Sequence, residues 1–276
     1  MNKFNLLIGI LLLLSLSCNL INPEEPTPAY LFINHFSVKK ISGTGSTSSK
    51  ITDAWAYVDD QPVGVVELPA KIPVLSTGLH KITIAPGIMN NGQSVDRIKY
   101  PFYKGYTIQH TLTAGEIDSL SPETEYTDGL HFELINDFET SNDFIGMGIT
   151  TASNKVFEGN KSGEIIATKT IPEFDALSSD FNLPGGGTRI YLEMDYYCDA
   201  AFNVYVQSNN FAKSEFVKHY VISISKKQVW NKIYIDLTSA VSGNPADSYQ
   251  LVFSGSKPAE ADQAGFYFDN VKIITF

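Results

Sequence analysis

The chain is predicted to be all-β, with two β-sandwich domains in tandem, the second a jelly roll. Three observations carry this. Apolar and polar residues alternate with a period of two through nearly the whole length beyond residue 29, as half-buried strands require. Turn residues interrupt that rhythm at short intervals, and the first half contains no amphipathic helical period. The length, 276 residues, accommodates one large or two ordinary domains.

The N-terminus opens with Lys3 and an apolar run from Phe4 to Leu16. A membrane-crossing helix needs about 20 apolar residues, and this run is too short. A charged start, a short apolar centre and small residues before a break read as a secretory signal over 1–17. The break, Ser15-Leu16-Ser17-Cys18, resembles a bacterial lipobox, although Ser15 stands where an aliphatic residue is usual. That resemblance implies a diacylglycerol and acyl anchor on Cys18. Residues 18–29 then form a proline-rich tether, and with Asn rather than Asp at position 19 the resemblance points to the outer membrane.

The formal net charge is −10. It argues against nucleic acid as a partner and against a basic patch on anionic lipid. Of the two cysteines, Cys18 is assigned to the anchor. Cys198, inside a predicted strand, then reads as a small buried apolar residue without a disulfide.

Strands are expected at Tyr30–Lys39, Ala54–Val58, Val63–Leu68, His80–Ala85 and Tyr106–Leu112, within a small domain over 30–114. A turn at Asp59-Asp60-Gln61-Pro62 makes a hairpin. The stretch 115–129, "GEIDSLSPETEYTDG", is acidic, rich in Ser and Thr and broken by Pro122, and reads as a linker. The larger domain, 130–276, has strands expected at Phe132–Phe138, Lys161–Thr168, Arg189–Tyr197, Phe202–Gln207, His219–Ser225, Lys232–Leu237, Tyr249–Phe253 and Phe266–Ile274.

Two resemblances follow. "DAWAYVDDQPVGVVELPAKIPVLSTGLHKITIAPG" resembles a transthyretin- or PEGA-like sandwich, which implies a spacer or assembly module. "INDFETSNDF", "VFEGNKSGEI", "VWNKIYIDLT" and "GFYFDNVKI", in that order, resemble the galactose-binding-like jelly roll of carbohydrate-binding modules. Together they are similar to surface lipoproteins of the Bacteroidota type. The jelly-roll resemblance implies a structural calcium ion held by Glu139 and Asp269 with Asp137 as a helper; otherwise Asp269 caps a turn and Glu139 is solvated.

Alternation sorts a candidate ligand face. Tyr191, Glu193, Asp195 and Tyr197 share one side of their strand, Tyr205 and Gln207 one side of the next, and Tyr234 and Asp236 one side of a third. If these strands are neighbours, tyrosine rings and carboxylates interleave on one sheet, a composition suited to stacking on sugar rings and accepting hydroxyl hydrogens. The same face could pack against the first domain or a partner protein. Trp55 and Trp230 read as core. No catalytic motif, phosphate loop or zinc-spaced cysteine set is present, and Glu193 with Asp195 lacks an evident cleft. The expected function is therefore a non-catalytic envelope protein binding a glycan or another surface component. The alternative is a structural subunit docking onto protein through both domains.

Overall fold

The computed structural model describes residues 25–276. The signal over 1–17, Cys18 and most of the tether lie outside the described residues.

The first domain comprises β1 (Ala29–Ile33), β2 (Ser37–Val38), β3 (Asp53–Val58), β4 (Gln61–Glu67), β5 (Ala70–Val74), β6 (Gly78–Met89), β7 (Arg97–Lys99), β8 (Tyr106–Leu112), β9 (Ile117–Leu120) and β10 (Glu123–Thr124). A three-stranded sheet, β5-β1-β9, packs on a five-stranded one, β4-β3-β6-β7 with β8 beside β7 on the same edge of β6. Leu31, Ile33, Ala54, Ala56, Ile82 and Ile84 alternate inward from both and form the core between them. The β3–β4 hairpin closes on two residues rather than four. Asp59 and Asp60 both adopt positive φ, 48° and 64°, as the tightest hairpin turns demand, and pairing resumes at Gln61.

The stretch expected as a linker is part of this domain. β9 pairs in parallel with β1, and β10 with β2. Its composition misleads because the acids and hydroxyls at odd positions face out, while Leu120, Pro122, Thr124 and Tyr126 turn inward and are buried. The strand period was present, beneath a polar average.

The second domain comprises β11 (His131–Asn136), β12 (Phe144–Ile145), β13 (Gly148–Thr150), β14 (Ser162–Thr168), β15 (Glu173–Ser178), β16 (Ile190–Cys198), β17 (Phe202–Asn210), β18 (Glu215–Ile224), β19 (Lys227–Asp236), a single-turn helix α1 (Thr238–Ser242), β20 (Ser248–Ser256) and β21 (Gln263–Thr275). The six-stranded sheet runs β13-β14-β21-β16-β19, with β11 alongside the second half of β21; the five-stranded sheet runs β12-β15-β20-β17-β18. Every strand pair except β1–β9 and β2–β10 is antiparallel, and the two sheets of the second domain face each other across one aromatic-rich core. Phe253 and Phe268 stack there at 4.5 Å, and Phe202 meets Phe268 edge-on at 5.3 Å. Cys198 lies in this core as a free thiol that burial pushes up to about 11.

A third cluster joins the domains. Ile88, Tyr100, Phe102, Tyr103 and Tyr126 from the first domain pack on Tyr191, Tyr234 and Ile274 from the six-stranded sheet. The β6–β7 turn also extends that sheet, because Asn91 N–H donates to the Tyr234 carbonyl at 2.9 Å and Asp236 N–H donates to Asn91 Oδ1 at 2.9 Å. Gly92 in this turn has φ +69°, which favours glycine, and a Cβ there would crowd Ile233 at 3.0 Å.

Candidate functional site

The alternation sorted the side chains of each strand correctly but assigned them to one sheet. Tyr191, Glu193, Asp195, Tyr197 and Tyr234 project from neighbouring strands β16 and β19 of the six-stranded sheet. Tyr205 and Gln207 belong to β17, in the opposite sheet. The expected single face is therefore two faces on opposite sides of the molecule.

The first of them is covered. Tyr191, Glu193, Asp195 and Tyr234 are at most 2% exposed, because the first domain lies across them. Tyr100 and Tyr126 hydroxyls donate to the two oxygens of Glu193 at 2.7 and 2.9 Å, and Ser48 Oγ donates to Asp195 at 2.9 Å. The Tyr191 hydroxyl donates to Asn90 Oδ1 at 3.1 Å, and Lys50 N–H donates to the Tyr234 hydroxyl at 2.9 Å. Two lysines balance the buried acids. Lys232 Nζ stands 3.5 Å from Asp195 and 3.8 Å from Glu193. Lys272 Nζ donates to the Ser46 carbonyl at 2.6 Å, and burial pulls its ammonium down to about 8. Burial raises the phenols of Tyr100, Tyr126, Tyr191 and Tyr234, keeping them protonated as donors. A buried acid with two phenol donors and a cation alongside is a satisfied structural network. These residues join domains.

Tyr197 escapes at the open end of the same sheet. It packs near Trp230 (6.3 Å) and Tyr267 (5.6 Å), with Lys155 Nζ 3.5 Å above its ring. Trp230 is thus half-buried on a sheet face rather than in the core. Trp55 is likewise half-buried, with Lys99 over its ring at 5.7 Å.

The carboxylates expected to hold calcium each accept hydrogen bonds from the protein. Glu139 Oε1 accepts from the backbone N–H groups of Asn160 and Lys161 at 2.7 and 2.8 Å, which hold its carboxyl below the usual range. Asp269 Oδ2 accepts from Ser162 Oγ at 2.7 Å and Glu158 N–H at 3.2 Å, and its Oδ1 from Asn270 N–H at 2.8 Å. Asp137 Oδ1 accepts from Glu139 N–H at 3.1 Å, a local turn. The three share the rim of one hollow with Glu158 and the Ile41–Ser46 loop, but among the described residues no group of three or more His, Cys, Asp or Glu side chains is placed to hold a metal ion.

The second face is open. On the outer side of the five-stranded sheet lie Asp175, Gln250, Val252, Ser254, Asn203, Tyr205, Gln207, Asn209, Lys218 and Tyr220, placed by the registers of β15, β20, β17 and β18. Lys218 Nζ meets Asp175 Oδ2 at 2.5 Å, although β17 and β20 separate their strands. Three strand spacings of about 4.8 Å exceed the reach of those two side chains on a flat sheet. The sheet therefore curls and this face is concave. At its floor Val252 is fully buried without belonging to the sandwich core. Tyr205 and Tyr220 form an edge-to-face pair at 5.7 Å. Beside them an amide ladder is fixed: Gln207 Nε2 donates to Asn209 Oδ1 at 3.0 Å and Gln250 Oε1 at 2.9 Å, and Asn209 Nδ2 donates to Asp180 Oδ1 at 2.6 Å. A hollow of about 440 Å³ opens at the Asp175–Asn203–Ser254 end. Sequence reading found Tyr205 and Gln207 but missed Asp175, Asn209, Lys218, Tyr220 and Gln250. The signal for Asp175 was the alternation of β15, outside every expected strand, and for Lys218 that of β18, which begins four residues before the expected start; Asn209 lies past the expected end of β17, and Tyr220 and Gln250 sit in expected strands.

No protein-family model matches the chain, and no curated protein matches it. Solved structures are similar to it at low identity. A carbohydrate-binding module of the β-sandwich superfamily aligns over 91% of this chain and 99% of that one, with 16% identity and a TM-score of 0.38. The family 11 carbohydrate-binding module of Clostridium thermocellum, in complex with a mixed-linked tetrasaccharide, aligns over 51% and 94%, with 13% identity and a TM-score of 0.38. The Clostridium thermocellum endo-1,4-beta-D-xylanase 10B fragment, with xylohexaose, aligns over 52% of this chain but only 28% of that one, with 16% identity and a TM-score of 0.39. At these scores the likeness extends to neither ligand nor site.

Proposed function

We propose that this chain is a non-catalytic glycan-binding protein whose ligand lies in the concave face of the five-stranded sheet. The observation that carries the reading is the composition of that face. Half-buried Tyr205 and exposed Tyr220 present ring surface. Fixed amides and the Lys218–Asp175 pair around them offer both donors and acceptors, as a polyhydroxylated ring requires. The first domain then serves as a rigid mount, since it occupies the opposite sheet rather than this one. The reading includes anchorage to the outer membrane through acylated Cys18, with the tether holding the two domains off the bilayer.

The test is an array of neutral polysaccharides and oligosaccharides probed with the protein and with Tyr205→Ala and Tyr220→Ala. Loss of one aromatic stacking partner is expected to weaken binding about tenfold, with the melting temperature within a few degrees of the parent. A glycan bound equally by both variants would move the ligand off this face. A cell-envelope protein captured through this face, with silence on the array, would support the docking-subunit alternative. For the anchor, Cys18→Ala is expected to abolish palmitate labelling and release the protein from the membrane fraction.

A further inference from the structure

A separate cavity lies where the two domains meet. It has about 210 Å³ of room and lies between Lys50 and Thr52 of the first domain, the β6–β7 turn at Asn91 and Gly92, and the β18–β19 edge at Ser223, Ser225 and Asn231. Ligand sites favour such domain junctions. The volume is below the range of about 300–1,000 Å³ typical of drug-sized ligands, so the occupant is small, about one sugar ring.

Its charge is the opposite of the protein's. The chain carries 30 acids against 20 Lys and Arg, yet no acid lines this cavity, while Lys50 and Lys232 do. Lys232 is spent on Asp195 and Glu193. Lys50 is not: its Nζ donates to the neutral Asn231 Oδ1 at 2.6 Å, and Asn231 Nδ2 in turn donates to the Tyr196 hydroxyl at 3.1 Å. Among the described residues Lys50 Nζ has this amide, and no carboxylate, as its partner. Partial burial and the neighbouring charge of Lys227 hold the Lys50 ammonium below the usual lysine range. A cation without a carboxylate partner therefore lines an acid-free cavity. The lining also includes apolar Met89, Ile222, Ile224 and Ile233.

We propose that this junction cavity binds a small carboxylate-bearing ligand, a uronic acid in chemical class, with the carboxylate on Lys50 and the ring against Met89 and Ile233. This site is distinct from the concave face and stands without it. The Lys50 ammonium supplies a charge-assisted hydrogen bond, and the apolar lining distinguishes a ring-bearing carboxylate from a bare oxyanion.

Calorimetric titration of the full chain with glucuronate, glucose and inorganic sulfate tests this, in parallel with Lys50→Met and Tyr205→Ala. Glucuronate is expected to bind at least about tenfold tighter than glucose or sulfate, and Lys50→Met to weaken it by about tenfold or more. Lys50→Met should retain the parental melting temperature, and Tyr205→Ala should leave glucuronate binding unchanged. Equal affinity for glucose, or no heat with glucuronate, would overturn the proposal. So would glucuronate binding indifferent to Lys50→Met, and sulfate binding as tight as glucuronate would reduce the site to an unselective cationic patch. Loss through Tyr205→Ala alone would place the ligand on the concave face instead.

Discussion

Asp269 shows how one buried carboxyl sets the pH response of the interface. It is 1% exposed and stands opposite Asp195 in the β16–β21 register. Burial is the largest reason its pKa rises to about 6; hydrogen bonds from Ser162, Glu158 and Asn270 oppose the rise, and the Asp195 charge adds to it. An unfolded aspartate titrates near 4. Between about pH 4 and pH 6 the folded chain therefore holds a proton that the unfolded chain has released, so this group's contribution to stability falls as pH rises through that window. The shift of about two units corresponds to at most about 3 kcal/mol. Lys272 acts in another window: lowered to about 8, it costs stability as pH falls from about 10.5 towards 8. Asp269→Asn should remove the acid-side slope alone. Urea unfolding at pH 4, 5, 6 and 7 is expected to show the variant gaining on the parent as pH rises. A stability difference constant across that range would show that Asp269 does not titrate as its burial requires.

At the scale of elements, sheet membership separates what the sequence showed from what it concealed. Period-two alternation put Tyr191, Glu193 and Asp195 on one side of β16, because a strand's pleat dictates this from local sequence alone. Whether that side meets water depends on what packs there, and the covering residues, Ser48, Tyr100 and Tyr126, lie 67 to 147 positions away. Likewise β17 follows β16 in the chain but crosses to the other sheet, a choice made by long-range pairing with β20. The β9–β10 segment was hidden for another reason, since a polar average hid a buried even-numbered side. Tyr126, at its end, tests that correction. Its ring meets Tyr103 and Phe132, and its hydroxyl donates to Glu193. Tyr126→Ala is expected to cost about 3–5 kcal/mol by urea denaturation, the range of buried aromatic truncation. A loss under about 0.5 kcal/mol, normal for an exposed substitution, would return the segment to a linker.

For the whole molecule, the decisive surface is the one between the domains. Domain interfaces within a chain are commonly polar and mobile. This one has an aromatic centre around Tyr100, with ring contacts to Tyr191 at 5.3 Å and Tyr234 at 4.8 Å. It also covers Glu193, Asp195, Lys232 and Lys272 of the second domain, which stay out of water only while the domains remain together. Separation would expose that aromatic surface and break the hydrogen bonds from Tyr100, Tyr126 and Ser48. Scanning calorimetry is therefore expected to show one transition, with calorimetric and van't Hoff enthalpies in agreement. Glu193→Ala, which leaves two phenols without their acceptor and Lys232 with Asp195 alone, should lower the transition temperature and broaden or split it, since removing one partner of a buried charged network costs about 3–5 kcal/mol. Two resolved transitions in the parent protein would mean that the domains fold separately, and the junction cavity with Lys50 on one side and Asn231 on the other would then have no fixed shape to offer a ligand.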